Sequence, residues 1–393
     1  MNAPDSLFGP SRLQTLACGR CGEEHDPHRL QTVCIACGGP LLARYDLESP
    51  GLPDLAGWRA RPRIPFRLPE LLPLRAGAET PSLGEGNTPL VEFPRVAAEL
   101  GAGRFLVKDE SRNPGHAFKA RGMAVAVARA AELGARTVAL PTAGNAGVAA
   151  AAYGARHGLA VQVALPRETP APIRTACRAL GARVQEVEGS IAEAGAWIAE
   201  RAEREGWFVL ATLREPYRLE GKKLMGYELL DELGRLPEVI LYPTGGGTGL
   251  IGMARAFDEM EALGWTGPER PRFVAVQTEG CAPLVRAFEE GLDHAPPWED
   301  PAPTRAFGLR VPAALGDFLM LDILRRGGGT ARAVPEAALT EAGEDFARRF
   351  GMWLGPEAAA CLAAARQLAG EGWFRPADTV VLFQTGSPFV YLG

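Results

Sequence analysis

From Ser82 onward the sequence alternates short apolar runs with helical runs, and glycine or proline residues separate them. The apolar runs are rich in valine, isoleucine and leucine and are mostly continuous, as expected of strands buried on both faces. Candidate strands span 105–109, 137–141, 160–165, 183–187, 207–211, 239–242, 273–277 and 379–383. Candidate helices span 120–133, 148–157, 173–180, 191–205, 219–233 and 250–263. This alternation predicts an α/β fold with parallel sheets covered by helices, and the number of units predicts two such subdomains.

Four of the seven cysteines lie in the first fifty residues as two pairs, CGRC and CIAC. Cys18 pairs with Cys21 and Cys34 pairs with Cys37, and 12 residues separate the pairs. Two such turns supply a tetrahedral all-sulfur site, which indicates a structural zinc ion, because four cysteines leave no open position for catalysis. Disulfides are the alternative, and a reducing cytosol disfavours them. We therefore predict a zinc ribbon over 1–48 and a second region over 49–393, whose smaller subdomain spans roughly 120–216.

The composition excludes several other classes of protein. With a net charge of −5, 47% hydrophobic residues and 23% charged residues, the chain lacks the basic excess of a general nucleic-acid binder. No apolar run reaches the roughly 18 residues that cross a bilayer, and the N-terminus lacks the apolar core of a signal peptide. We therefore expect a cytoplasmic protein without nucleic-acid or membrane partners.

Lysine is rare in this chain, which contains only Lys108, Lys119, Lys222 and Lys223 beside many arginines. Lys119 immediately precedes a helical run, so its ammonium should lie near helix N–H groups that disfavour protonation. Unlike arginine, lysine can lose its proton, and the free amine can condense with an aldehyde. A solvated surface lysine is the alternative. The sequence thus makes Lys119 a candidate for covalent chemistry.

Three further loops, PTAGNAG, TGGGTG and QTGS, follow candidate strands, where parallel sheets bind ligands. The first offers main-chain N–H groups for a carboxylate and the amide of Asn145, although a simple strand-to-helix turn is an alternative. The second lacks dinucleotide and P-loop patterns, and its glycines favour a compact phosphate cup at a helix start. The third offers the hydroxyl of Thr385 or Ser387, or is a plain turn. Together with Lys119, these groups suit pyridoxal phosphate, which has an aldehyde, a phosphate, a ring oxygen and a pyridine nitrogen.

With these residues in place, the chain resembles threonine synthase, a family of the fold-type II pyridoxal-phosphate enzymes, whose fold is like that of the tryptophan synthase β subunit. The resemblance is carried by SLGEGNTPL, KDESRNPGHAFKARGM, PTAGNAG, EPYRLEGKKLMGYELLDELG, PTGGGTGLIGM and PEAAA, in this order, after the four-cysteine ribbon that the family often has. The resemblance implies the conversion of O-phospho-L-homoserine and water to L-threonine and phosphate by a homodimer.

The resemblance also implies a role for each candidate residue. Lys119 would bond to the cofactor aldehyde and transfer protons, Asn145 would hydrogen-bond the ring hydroxyl, and Thr385 would face the pyridine nitrogen. The cofactor phosphate would be bound by Gly245, Gly246, Gly247 and Thr248, and the substrate α-carboxylate by Thr142, Ala143, Gly144 and Ala146. Arg218, in PYRLEG, is similar to the family's arginine for the substrate phosphate.

The chain departs from the family pattern beside these positions. The family usually reads NPTGSFKDRG, whereas this chain has NPGHAFKARG, with changes at Gly115, His116, Ala117 and Ala120. His116 is a candidate substrate contact or acid/base, or a polar loop residue, and hydroxyls are missing at Ala117 and Ala146. The ending QTGSPFVY lacks the family's lysine. These changes keep two alternatives open, a related β-replacement enzyme of the cysteate synthase kind and a serine/threonine ammonia-lyase. A non-catalytic protein whose ribbon binds a partner is an alternative from another class.

Overall fold

The structure, a computed structural model, describes residues 9–75 and 80–391. Its strands are β1 (Leu13–Cys18), β2 (Glu24–His25), β3 (Leu41–Tyr45), β4 (Leu90–Glu92), β5 (Arg104–Asp109), β6 (Thr137–Pro141), β7 (Ala160–Pro166), β8 (Arg183–Val187), β9 (Phe208–Val209), β10 (Val239–Pro243), β11 (Arg272–Thr278), β12 (Thr330–Val334) and β13 (Thr379–Gln384). Its helices are α1 (Leu55–Ala60), α2 (Pro94–Leu100), α3 (Lys119–Glu132), α4 (Asn145–Arg156), α5 (Ala171–Ala179), α6 (Ile191–Glu205), α7 (Tyr217–Leu233), α8 (Thr248–Ala262), α9 (Pro283–Glu289), α10 (Asp317–Arg326), α11 (Glu336–Phe350) and α12 (Pro356–Gly370).

The N-terminal strands form a small antiparallel sheet in the order β2-β1-β3. β1 pairs with β3 from Leu13 opposite Tyr45 to Cys18 opposite Leu41. Leu16 and Leu41 are almost completely buried in this sheet. The end of β1 with its following turn and the segment before β3 carry the two cysteine pairs, so antiparallel pairing brings all four cysteines to one end of the sheet.

A first compact unit contains the described residues of Met1–Asn87, together with Lys119–Tyr227 and Arg255–Pro268. Its larger sheet is parallel, in the order β8-β7-β6-β9. Helices α4 and α6 pack on β6 and β7. Ala139, Ala164 and Ala194 are fully buried where α6 meets the sheet, because small side chains allow a helix to approach closely.

A second compact unit contains Thr88–Phe118 and Glu228–Ala254, together with the described residues of Glu269–Gly393. Its sheet has the order β12-β11-β10-β13-β5-β4, and all neighbouring strands are parallel except β4 and β5. α12 packs against β10, β11, β12 and β13. Its alanine-rich sequence is buried on nearly all sides, which explains why it has no polar face.

The predicted α/β class with parallel sheets is confirmed, and the predicted strands 137–141 and 183–187 have the observed bounds. The predicted strand 207–211 is wrong in extent, because only Phe208–Val209 pair with β6. Helices α4, α7 and α8 begin two or three residues earlier than predicted, because small and polar residues in their first turns interrupt the apolar pattern. From Ser82 onward, the candidate ranges did not include β4, β12, α2, α9, α10, α11 and α12. No helix in the described ranges is both long and apolar enough to span a membrane.

Candidate active site

In the second unit, three candidate loops meet at one edge of the sheet. They follow β10, β13 and β5, which are parallel neighbours, so their carboxyl ends lie side by side. The main-chain N–H of Phe118 donates to the carbonyl of Thr385 at 3.0 Å, and the N–H of Ser387 donates to the carbonyl of His116 at 2.9 Å. The segment that leads directly into Lys119 is therefore fixed to the loop that carries Thr385.

Lys119 differs from the other three lysines in its surroundings. Lys108, Lys222 and Lys223 are fully buried, and Lys108 and Lys223 each lie within 3.0 Å of a glutamate carboxylate. Lys119 is partly exposed and is the first residue of α3. Lys119 is therefore the lysine that is most accessible to a ligand.

In the first unit, α3 and α7 touch backbone to backbone. A Cβ atom added to Gly221 would lie 1.9 Å from the carbonyl oxygen of Arg121, and one added to Gly122 would lie 2.7 Å from the carbonyl oxygen of Arg218. Only glycine allows such an approach. The contact places the helix start that carries Lys119 beside the helix start that carries Arg218. Sequence reasoning missed this contact, although a glycine in each helix interior was a visible signal.

Arg218 is a buried cation with incomplete hydrogen bonding. It is 3% exposed, and its Nη1 donates to the carbonyl of Leu210 at 2.8 Å. Its Nε atom is buried and has no hydrogen-bond partner among the described residues. Burial lowers the pKa of the guanidinium, although arginine remains protonated in proteins. A buried positive charge with an unused donor fits an anionic ligand group.

Glu215 binds the first turn of α7. Its carboxylate accepts hydrogen bonds from the N–H of Tyr217 at 2.7 Å and from the N–H of Arg218 at 3.0 Å. Burial raises the pKa of Glu215 from its ordinary value of 4.5 to about 7, although the positive charge of Arg218 and these N–H groups oppose the shift. The folded state therefore binds more protons than the unfolded state between these two values.

This raised pKa predicts a pH dependence of stability. The contribution of Glu215, up to about 3 kcal/mol, should be fully present below its unfolded pKa and should be lost as pH rises through about 7. Urea unfolding from pH 5 to 8 should show that Glu215→Gln lacks this loss. Glu193→Gln is the control, because the pKa of Glu193 is lowered from 4.5, so Glu193 stays ionised from pH 5 to 8 and its variant should keep the loss seen in wild type. Parallel pH profiles of wild type and Glu215→Gln would contradict the assignment.

The loop after β6 leads into α4 in the first unit. Thr142 Oγ1 donates to the carbonyl of Gly144 and accepts from its N–H, at 3.0 and 3.1 Å. Gly144 is the N-cap of α4, and Asn145 is its first residue. Asn145 is 7% exposed, and its Oδ1 has no hydrogen-bond partner in the ranges that the structure describes. A buried amide oxygen without a partner is costly, so this position fits a polar ligand group. Ala143 and Ala146 lie in the same loop and are partly exposed.

The glycine-rich loop after β10 is tightly packed and leaves main-chain N–H groups available. A Cβ atom on Gly245 would lie 2.2 Å from a backbone oxygen of the 307–309 turn, and one on Gly249 would lie 1.7 Å from the hydroxyl of Tyr242. Packing thus requires both glycines. The N–H groups of Gly245, Gly246 and Gly247 donate to no main-chain carbonyl in the described part of the chain, just before α8 begins at Thr248. Such N–H groups at a helix start fit a phosphate.

His116 lies at the outer side of the loop that precedes Lys119. Its side chain is exposed, and its φ of +58° is a left-handed conformation that few residues other than glycine adopt. The neighbouring Gly115 has a φ of +68°. Ala117 is buried, at 2% exposure. The missing hydroxyl at Ala117 is therefore a change inside the packed loop, whereas His116 adds an imidazole to its surface.

The four ribbon cysteines form one cluster. Their sulfur atoms all lie within 4.8 Å of one another, and neighbouring sulfurs are 3.4 to 3.7 Å apart, as in the pair Cys21 and Cys34. All four are free thiols. A tetrahedron of sulfurs around zinc, with bonds near 2.3 Å, has edges of about 3.8 Å. The cluster therefore has the donor set and spacing that fit a tetrahedral metal ion.

Comparison with known proteins identifies the family. Residues 81–386 match the family described as pyridoxal-phosphate dependent enzymes. The chain is 33% identical to a threonine synthase of Methanosarcina acetivorans over 94% of this chain and 91% of the relative. It is 32% identical to a threonine synthase of Methanocaldococcus jannaschii over the same shares.

Solved structures show the same fold. Maize serine racemase matches with a TM-score of 0.65 at 21% identity, over 77% of this chain and 88% of that one. An L-serine ammonia-lyase from Rhizomucor miehei matches with a TM-score of 0.65 at 21% identity, over 77% and 94%. The chain therefore belongs to the family of pyridoxal-phosphate-dependent enzymes of fold type II, in which the two curated relatives named above are threonine synthases.

Proposed function

We propose that this protein is a threonine synthase, a lyase that converts O-phospho-L-homoserine and water to L-threonine and phosphate. Curated threonine synthases that match over 81 to 94% of the chain support this assignment. The structural observation that supports it is the close contact of α3 and α7 at Gly122 and Gly221, which brings the helix starts of Lys119 and the buried Arg218 together. A phosphorylated amino acid substrate would use the lysine for proton transfer and the arginine for binding its phosphate.

The residues that would hold the cofactor lie on four elements. We propose that Asn145 binds the ring oxygen, that Thr385 faces the ring nitrogen and that Lys119 bonds to the aldehyde. The phosphate would be bound by the loop residues Gly245, Gly246, Gly247 and Thr248. When bound, pyridoxal phosphate supplies a ring that delocalises negative charge from the substrate's α-carbon. A neutral hydroxyl at Thr385 leaves the ring nitrogen less positive than a carboxylate would, which suits elimination and replacement.

The residues that would hold the substrate lie at the neighbouring helix starts. Arg218 would bind the substrate phosphate, because its buried guanidinium has an unused donor. The loop residues Thr142, Ala143, Gly144 and Ala146 would bind the α-carboxylate through main-chain N–H groups. Lys119 would take the α-proton and move protons at the next carbon. Its place at the N-terminus of α3 favours the neutral amine that is required to accept a proton. His116 would contact the substrate from the loop surface.

Hydroxyls that are common in the family are absent at Ala117 and Ala146. For this reason two related reactions, β-replacement and ammonia elimination, should be tested together with threonine synthesis. The chain should be incubated separately with O-phosphohomoserine, O-phosphoserine, serine and threonine, with phosphate and keto acids measured. We expect equal amounts of phosphate and threonine from O-phosphohomoserine alone. Phosphate from O-phosphoserine would instead indicate a β-replacement enzyme of the cysteate synthase kind. Keto acid from serine or threonine would indicate an ammonia-lyase.

We also propose that the ribbon cysteines bind a structural zinc ion. Structural zinc contributes directly to folding, so Cys34→Ser should lower the zinc content from about one ion per chain to nearly none and should expose the ribbon to proteolysis. Ile35→Ser is the control, because Ile35 lies between the ligands and is 90% exposed. Equal zinc content in wild type and Cys34→Ser, measured by atomic emission, would contradict the zinc proposal.

The remaining organisation is proposed from the sequence and the resemblance. We propose a ribbon over 1–48 and a catalytic region over 49–393, whose smaller subdomain spans roughly 120–216. We also propose that the protein works as a homodimer in the cytoplasm, where reducing conditions keep the ribbon thiols free. Light scattering should give twice the chain mass of 41.8 kDa.

A further inference from the structure

The ribbon lies outside the family match, which begins at residue 81, yet it contacts both helices that carry the candidate site. The carbonyl of Pro27 accepts a hydrogen bond from Arg129 Nη2 of α3 at 2.8 Å. The same carbonyl accepts one from the hydroxyl of Tyr217 of α7 at 3.4 Å. Arg129 and Tyr217 are both buried. One ribbon carbonyl thus connects α3 and α7 on the ribbon side.

A second ribbon segment binds α7 through buried charges. The hydroxyl of Tyr45, at the end of β3, donates to Glu220 Oε2 at 2.8 Å. Glu220 and Lys223 form a fully buried ion pair at 2.7 Å, and the Lys223 ammonium lies 4.1 Å from the Tyr45 ring centroid. Tyr217, Glu220 and Lys223 recur every three residues, so they share one face of α7. The ribbon therefore contacts α7 along its first two turns.

Substitutions that remove these contacts should disturb the neighbouring groups, because the contacts are buried. Removing one partner of a buried charged network leaves the other groups without compensation, which is strongly destabilising. Arg218 lies one residue after Tyr217 and two before Glu220. Any shift of the first turns of α7 therefore moves Arg218.

We propose that the ribbon is a positioning element for substrate anion binding. It holds the first turns of α7 against α3 through Pro27 and Tyr45, and it thereby fixes Arg218 relative to the helix that begins at Lys119. This inference rests on the proposed role of Arg218 as the ligand of the substrate phosphate. It assigns Tyr45 and Tyr217 as positioning residues, which act through Arg218 and do not touch the substrate.

Variants of Tyr45 test the proposal in the complete holoenzyme. Tyr45→Ala removes both the hydroxyl and the ring under Lys223, and Tyr45→Phe removes the hydroxyl alone. We expect KM for O-phosphohomoserine to rise about tenfold in Tyr45→Ala and about threefold in Tyr45→Phe, with kcat and cofactor absorbance nearly unchanged. Thr15→Val is the control, because the Thr15 hydroxyl bonds the carbonyl of His25 within the ribbon. Its KM should equal that of wild type.

Amide hydrogen exchange provides a measurement independent of activity. In Tyr45→Ala, the amides from Arg218 to Lys223 should exchange at least about tenfold faster than in wild type. Unchanged exchange and unchanged KM in the Tyr45 variants would overturn the inference. A parallel fall of kcat and cofactor absorbance would also overturn it, because it would indicate a general loss of structure. If Tyr45→Ala does not fold, Tyr45→Phe decides by the same criteria.

Failure of the proposed function can be distinguished from failure of this inference. A wild-type protein that releases no phosphate from O-phosphohomoserine contradicts the proposed function, and the exchange measurement then still tests whether the ribbon holds α7. An active wild type whose Tyr45 variants retain its KM contradicts the inference alone.

Discussion

Lys119→Ala should lower kcat/KM for O-phosphohomoserine by at least about 10³-fold, because it would remove both the proposed bond to the cofactor aldehyde and the proposed proton-transfer group. General acid–base catalysis alone accounts for 10² to 10⁴ in comparable enzymes, so a smaller loss would be hard to reconcile with the assigned role. Stability should change little, within about 0.5 kcal/mol, because the side chain is partly exposed at a helix start.

Lys119→Arg tests whether the amine itself is required or only a positive charge at this position. Arginine keeps a positive charge at the start of α3, but its guanidinium cannot lose a proton or bond to an aldehyde. This variant should therefore be as inactive as Lys119→Ala while folding normally, as checked by circular dichroism and thermal unfolding. Activity of Lys119→Arg within about tenfold of wild type would contradict a covalent role.

Gly221→Ala should have the second large effect. The added Cβ would lie 1.9 Å from the carbonyl oxygen of Arg121, a backbone atom that cannot rotate away. α3 and α7 must then separate, and overpacking of this kind costs about 1 to 3 kcal/mol or more. Because the helix starts carry Lys119 and Arg218, we expect kcat/KM to fall by at least about 10²-fold, since misplacements of about 1 Å have that effect.

Gly195→Ala is the matched control for this substitution. Gly195 lies inside α6, and a Cβ there would meet no atom within 4 Å. Alanine should stabilise this helix by up to about 1 kcal/mol, because it has the higher helix propensity. Urea unfolding and steady-state kinetics of both variants compare the two sites directly. A Gly221→Ala protein with wild-type stability and kinetics would show that the two helices do not touch as described.

Much of the fold could be predicted because local signals agreed with tertiary structure. The strand Arg183–Val187 has the predicted bounds, and so does α6, which begins after the capping box of Ser190 and Glu193 and ends at Gly206 in a left-handed conformation. β4 was not predicted because it has three residues and pairs antiparallel at a sheet edge. A run of three residues is too short to show the alternation of apolar and polar residues that identifies a strand.

Candidate site residues could be named from the sequence, but their arrangement in space could not. Motifs identified Lys119 and Arg218 as candidates, yet nothing local shows that their helices meet. That contact depends on Gly122 and Gly221, which are 99 residues apart in the sequence, and each alone is simply a glycine with low helix propensity. The contact of the ribbon with α7 could not be predicted either, because the acceptor on Pro27 for the Tyr217 hydroxyl is a main-chain carbonyl and carries no sequence signal.

Borohydride reduction of the purified holoenzyme tests the central claim most directly. Reduction makes a bond between a lysine and the cofactor aldehyde permanent, and digestion followed by mass spectrometry identifies the modified lysine. The structure predicts the cofactor mass on Lys119 alone, because Lys108, Lys222 and Lys223 are fully buried. Modification of one of those three lysines, or an unmodified Lys119 in a protein that still turns over O-phosphohomoserine, would contradict the account.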